Sequence, residues 1–222
     1  MKFTVIPENT FNEIQTDVGV LLYNFDPSAE DPAPADADII CATTGGIQVS
    51  CTPTYSDFGA DIDNVMNNSK ELKHLDSWEC TASTTAVSLS PRLVKLGLGA
   101  ADISTVDATK IVPRRDLSQD DFRDIWWVGD KIDGGWVAVK IKNALSTGGF
   151  AIQTSKNGKG QFSLTITGHV SLNAQSEVPM EFYVVDASED AGETSGETPG
   201  ETPGANTGTN TETGTETETG NP

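Results

Sequence analysis

An antiparallel β-sandwich or barrel-like fold with one short flanking α-helix, followed by a disordered acidic tail, is predicted by three features of this 222-residue chain. Short segments alternate apolar and polar side chains, the period of a half-buried strand. Glycine-containing turns separate them, among them "KIDGG", "STGG" and "NGKG", and such turns bring a strand back beside its predecessor. Only one stretch carries both a start and a stop signal for a helix.

In chain order, "VGVLLYNF" (18–25) is a short apolar run followed by a Pro/Asp-rich loop. "IICATTGGIQVSCTPTY" then alternates, with Ile47, Val49 and Cys51 on one side and Gln48, Ser50 and Thr52 on the other. A weakly patterned stretch, 56–74, precedes "LDSWECTASTTAVSLS", where Trp78, Cys80 and Ala82 share a face. The helix is "SPRLVKLGLG": Ser90 suits the N-cap, Pro91 the first helical position, and Gly97 or Gly99 the stop. At about two turns it is too short to stand alone and must dock on a sheet. "KIVPRRDL" and "FRDIWWVGD" are further strands. "WVAVKIKNAL" sets Val137, Val139 and Ile141 against Trp136, Ala138, Lys140 and Lys142, and "FAIQTSK" turns through "NGKG" into "QFSLTITGHVSL". Its polar row is Gln161, Ser163, Thr165, Thr167 and His169; "EVPMEFYVV" closes the body. Trp126 and Trp127, adjacent in a strand, point to opposite faces. One fills the core; the other lies in a subunit interface or beneath a covering loop or helix.

The charge divides the chain in two. From Asp186 onward there is no Lys or Arg, and nine of the 33 acidic residues lie there, against all 14 bases in residues 1–185. Residues 186–222, rich in Thr, Glu and Gly, have too little apolar surface to offset the entropy of ordering them. Residues 1–185 suffice for one domain with its own core. A net charge of −19 argues against a stable nucleic-acid partner, which needs clustered cations. No apolar stretch reaches the length of a membrane span, so no membrane anchor is expected. "MKFTVIPENTFNEIQ" lacks a signal-peptide pattern, so secretory export is not expected. Cys41, Cys51 and Cys80, odd in number and set in alternating apolar segments, read as buried free thiols of a protein made in a reducing cytosol.

Catalytic and metal chemistry find no foothold. His74 and His169 are the only histidines, and no cysteine has another within zinc-ligand spacing. "DADI" and "DIDN" lack the glycine and distal glutamate of a calcium loop. None of the nucleophile-elbow, zinc-protease, P-loop or dinucleotide motifs occurs. Neither catalytic residues, metal ligands nor a cofactor are expected, and an enzyme is not predicted.

The segments "DIDNVMNNSKELKHLDSWE", "LVKLGLGAADI", "KIVPRRDLSQDDFRDIWWVGD" and "VKIKNALSTGGFAIQTSKNGKGQFSLTITGHVSL" together resemble the major tail protein (tail tube protein) of long-tailed, siphovirus-type bacteriophages and prophages of Gram-positive bacteria. The resemblance runs in order from about Thr4 to Tyr183. It implies a tube β-domain whose copies form hexameric rings, stacked into a conduit for DNA. It further implies a virion location after synthesis in the bacterial cytoplasm. Implied partners are other copies of the chain, a tape measure protein inside the tube, and tail terminator and distal tail proteins, with DNA only in transit. In such proteins a long loop between two early strands reaches toward neighbouring subunits or the next ring. The matching segment here, Tyr55 to Ser77, makes Tyr55, Phe58, Asp61, Asp63, Lys70, Lys73 and His74 candidate contact residues. Gln161, Ser163, Thr165 and Thr167, a polar row without cations, are candidates for the lumen or a subunit seam, since Lys and Arg would hold passing phosphates. Lys140 and Lys142 are candidates for pairing with a neighbour's acids. The family often carries an immunoglobulin-like domain where this chain has its acidic tail, so adhesion through such a domain is not implied. The same β-rich body and Thr/Glu tail would also suit a secreted or surface-displayed, adhesin-like binding module. The missing signal-peptide pattern and the odd cysteine weigh against it.

Overall fold

The computed structural model describes residues 5–29 and 32–187. Apart from Asp186 and Ala187, the predicted acidic tail lies outside them. The chain is mainly β, with strands β1 (Gln15–Leu22), β2 (Thr43–Asp57), β3 (Lys73–Ala86), β4 (Ala101–Ile103), β5 (Ile111–Pro113), β6 (Arg123–Lys131), β7 (Trp136–Ser146), β8 (Ile152–Gln153), β9 (Gln161–Thr167) and β10 (Met180–Val185), and helix α1 (Pro91–Leu98). All pairings are antiparallel.

The main sheet runs β1-β6-β7-β9-β3-β2, and β7 is its corner. The first half of β7 pairs with β10 (Ile141 with Met180, Trp136 with Val185), while Leu145 and Ser146 pair with β9. Between these halves the register against β6 shifts, and Asn143 sits at φ 45° with its N–H bonded to Asp124 Oδ1 at 3.0 Å. A bulge of this kind bends a strand so that it can serve two layers. The layers close over one core. Ile125, Val139, Ile141 and Met180 come from one side, and Cys80, Ala82, Phe162, Leu164 and Ile166 from the other.

Helix α1 forms where its caps predict. The Ser90 hydroxyl accepts from the Leu93 N–H at 3.2 Å, Pro91 opens the first turn, and Gly99 ends it at φ 72°. Gly97 is not the stop. It is buried inside the helix against the Phe162 ring, which a Cβ at this position would overlap. The Ser146 hydroxyl donates to its carbonyl at 3.0 Å, fixing the helix to the end of β7.

The tryptophan pair resolves toward cover within the monomer. Trp126 is 6% exposed on the face away from the main core. There it joins Leu22, Val128 and Ala138 in a second cluster. Phe25, from the loop after β1, lies over it at 5.5 Å between ring centroids and meets Trp136 edge-on at 5.4 Å. Trp127 turns to the main core and donates its indole N–H to the Val18 carbonyl at 3.1 Å.

Asp186, just past Val185, makes a contact with the body. Lys131 is buried, its ammonium paired with Asp133 at 3.5 Å and with Asp186, the first residue of the predicted tail. A chain ending at Val185 is therefore expected to melt below one ending at Ala187, because only the first loses the Asp186 partner of a buried ammonium. Thermal scans of the two truncations check this.

Candidate functional site

Two faces of the β2–β3 hairpin define the site, and both follow from strand alternation. On one, the β9 row continues across the sheet. Thr167 lies opposite Thr81, Thr165 opposite Ser83, and Ser163 opposite Thr85. Next, Thr81 meets Ser50, Ser83 meets Gln48, Glu79 meets Thr52, and Ser77 meets Thr54. The result is a surface of hydroxyls and amides three strands wide. Glu79 is its one ionisable residue between Gln48 and Thr54, and Lys and Arg are absent from these rows. Thr147 and Thr167 hydroxyls bond each other at 2.8 Å, and Ser50 and Thr52 at 3.2 Å. Of the predicted row, Gln161 and Ser163 are exposed, and Thr165 and Thr167 are half-buried. His169 leaves it: β9 ends at Thr167, and the imidazole packs edge-on against Phe122 at 5.3 Å. The β3 contribution, Thr81, Ser83 and Thr85, escapes a strand-by-strand reading. The signal was present in "CTASTTA", where Thr81, Ser83 and Thr85 alternate with Cys80, Ala82, Thr84 and Ala86 as β9 alternates its hydroxyls with large apolar residues.

The opposite face is apolar and runs past its cover. Cys51 and Cys80 are paired at the edge of the core. Farther out on the same face come Pro53 with Trp78, and beyond a bulge Tyr55 with Leu75. The tip adds Phe58, Ile62 and Met66. These side chains are uncovered: Tyr55 52%, Phe58 63%, Ile62 50%, Met66 84%, Leu75 42% and Trp78 36% exposed. A sheet face with large apolar side chains ordinarily has a second layer on it. Among the described residues, none covers it.

The arm is nonetheless well formed, and its strands reach farther than the sequence pattern indicates. Of the seven residues expected in the loop, Tyr55, Lys73 and His74 stand in strands, while Phe58, Asp61, Asp63 and Lys70 lie in the connection. Asp57 anchors that connection by accepting from the Asn68 N–H at 2.7 Å and the Gly59 N–H at 3.0 Å. Lys73 donates to Asn68 Oδ1 at 3.0 Å and lies 5.8 Å from the Tyr55 ring centre. His74 contacts Asp76 at 3.2 Å and the Phe58 ring edge-on at 5.7 Å. Asp61 and Asp63 are exposed. Among the described residues, Lys70 pairs with Glu71 alone, at 3.5 Å and exposed.

The two backbone bonds, that from Asn68 first, hold the Asp57 carboxyl below its ordinary value of 3.8. A depressed carboxyl contributes stability that is complete above its unfolded pKa and is lost as pH falls through the folded one. Acidification below about pH 4 is thus expected to loosen the 58–69 connection. Asp57→Asn should reproduce this at neutral pH, read as faster proteolysis within 58–69 with the body's melting point unchanged.

Lys140 and Lys142, candidates for a neighbour's acids, are satisfied within the chain. Lys140 meets Asp124 at 2.9 Å; Lys142 meets Glu181 at 2.6 Å and Glu177 at 3.0 Å.

No protein-family model and no curated protein matches this sequence. Among solved structures, a chain of the "Virion of native gene transfer agent (GTA) particle" is similar over 75% of this chain and 95% of its own, at TM-score 0.36 and 9% identity. A likeness at that level carries no argument about function. Among the described residues, no helix is long and apolar enough to cross a membrane.

Proposed function

We propose that this chain is a structural virion subunit that assembles with copies of itself into stacked, hexameric rings, forming a tail tube through which DNA is delivered. The observation that carries the reading is the uncovered apolar face of the β2–β3 arm. Pro53, Trp78, Tyr55 and Leu75 continue a core face outward, and among the described residues no second layer lies over it. A second copy is the natural occupant, because a contact between two different surfaces of the same chain propagates from copy to copy. The sheet also ends in open edges. β2 bounds it on one side, and β10 leaves a further edge carrying Phe182 and Val184, 60% and 68% exposed. Such edges pair with another chain unless covered, and a closed ring covers them.

The hydroxyl and amide face suits the bore of such a tube. It offers a passing polyanion neither cations to hold it nor dense charge to exclude it. The resemblance set out above supplies the remaining assignments: a tape measure protein within the bore, terminator and distal proteins at the ends, and a virion location. The test is electron microscopy and sedimentation of the purified full chain over a range of concentrations. Rings or tubes are expected. A chain that stays monomeric at the highest concentration, alone and with the other tail components, would overturn the reading.

A further inference from the structure

We propose that Cys51 and Cys80 form a reversible disulfide that staples the root of the arm. The two residues lie directly opposite each other in β2 and β3. The Cys80 carbonyl accepts from the Gly168 N–H at 2.9 Å. Because a strand residue's N–H and C=O point to the same side, both Cys80 groups face β9 rather than β2. Cys51 and Cys80 are therefore a non-hydrogen-bonded pair, the kind whose side chains approach most closely, with Cα atoms about 4.5 Å apart. That separation lies within the range a disulfide spans. The sulfurs are already in contact at 3.1 Å, and both thiols are free. Cys41, also buried, belongs to the segment before β2 and has no such partner among the described residues.

Access is asymmetric. Cys51 is half-buried at the edge of the core, whereas Cys80 is wholly covered. A low-molecular-weight disulfide such as oxidised glutathione therefore reacts first at Cys51. The Cys51 thiolate attacks one sulfur of the reagent, expels a glutathione thiolate and leaves a mixed disulfide. Cys80 then loses its proton and attacks the Cys51 sulfur, expelling the second glutathione. Two protein thiols are oxidised and one small disulfide is reduced to two thiols. Burial, with the neighbouring Cys51, pushes the Cys80 thiol up to about 12, so the second step is the slow one.

The staple sits where the covered part of the hairpin ends and the uncovered part begins. Closing it ties the arm's two strands at their base and limits their fraying. The chemistry is independent of the assembly reading. Its timing, with reduced arms during cytosolic assembly and stapled arms once the particle meets an oxidising exterior, rests on that reading.

The test uses the full folded chain incubated with oxidised glutathione. Free thiols are expected to fall from three to one, and peptide mapping should join Cys51 to Cys80 and leave Cys41 free. Amide exchange in 52–57 and 73–79 should slow by roughly tenfold or more. In Cys80→Ala the reaction should stop at a glutathione adduct on Cys51, whereas Cys41→Ala should form the staple normally. Three remaining thiols, under conditions that oxidise the denatured chain, would overturn the proposal. So would a bond to Cys41, or a wild-type adduct that never resolves. None of these readouts requires rings, so failure here is distinct from failure to assemble.

Discussion

Phe162→Ala is expected to cost about 3–5 kcal/mol, the range for removing a buried phenylalanine. In a body of this size that lowers the melting midpoint by on the order of 10 °C. Phe162 is 1% exposed, stacks on Phe150 at 5.0 Å between centroids, and carries helix α1 through its contact with Gly97. Gly97→Ala should destabilise too, by about 1–3 kcal/mol, because the added methyl would overlap the buried Phe162 ring. The two changes touch the same space, so they should not add: the methyl partly fills the void left by the missing ring. Chemical denaturation of the two single variants and the double variant measures the coupling. Strict additivity would show that the glycine does not bear on the ring.

On the proposed assembly, Phe58→Ser combined with Met66→Ser should abolish rings while leaving the fold intact. Both side chains are uncovered in the monomer, so their loss removes no core packing. Burying each against a second copy is worth about 1.5–3 kcal/mol. Together they should weaken self-association by roughly a hundredfold to ten-thousandfold. Sedimentation read beside an unchanged melting curve checks this. Full assembly of the double variant would mean that the tip of the arm is not the contact.

Local chemistry was legible in the sequence wherever one residue type solves one local problem. Ser90, Pro91 and Gly99 announce α1, and Asn157, at φ 62°, turns β8 into β9. Alternation likewise assigned the faces of β7 and β9. Pairing between distant segments was not legible. That β3 lies between β2 and β9, and so unites three hydroxyl rows, depends on register rather than on any single segment. The arm was hidden for another reason. Ser56, Asp57, Lys73 and His74 are all polar, so the apolar/polar alternation that marks a strand stops at Tyr55 and resumes at Leu75 while the pairing of the two strands continues between them. Gly97 reads as a stop because glycine usually serves there; its packing role is set by Phe162, far along the chain. The cover over Trp126 comes from distant segments, Phe25 in the Pro/Asp-rich loop after β1 and Tyr183 in β10.

The order of the strands also governs when the molecule can fold. β1 has β6 as its partner strand, with Leu22 opposite Trp126, so it must wait until more than half the polypeptide has left the ribosome. The β2–β3 hairpin is local and can zip up far earlier, since nearby pairings are kinetically favoured. A nascent chain therefore exposes its stickiest element well before the body exists to carry it. Synthesis spaced along a messenger, or a companion that shields the early hairpin, would guard against premature clumping.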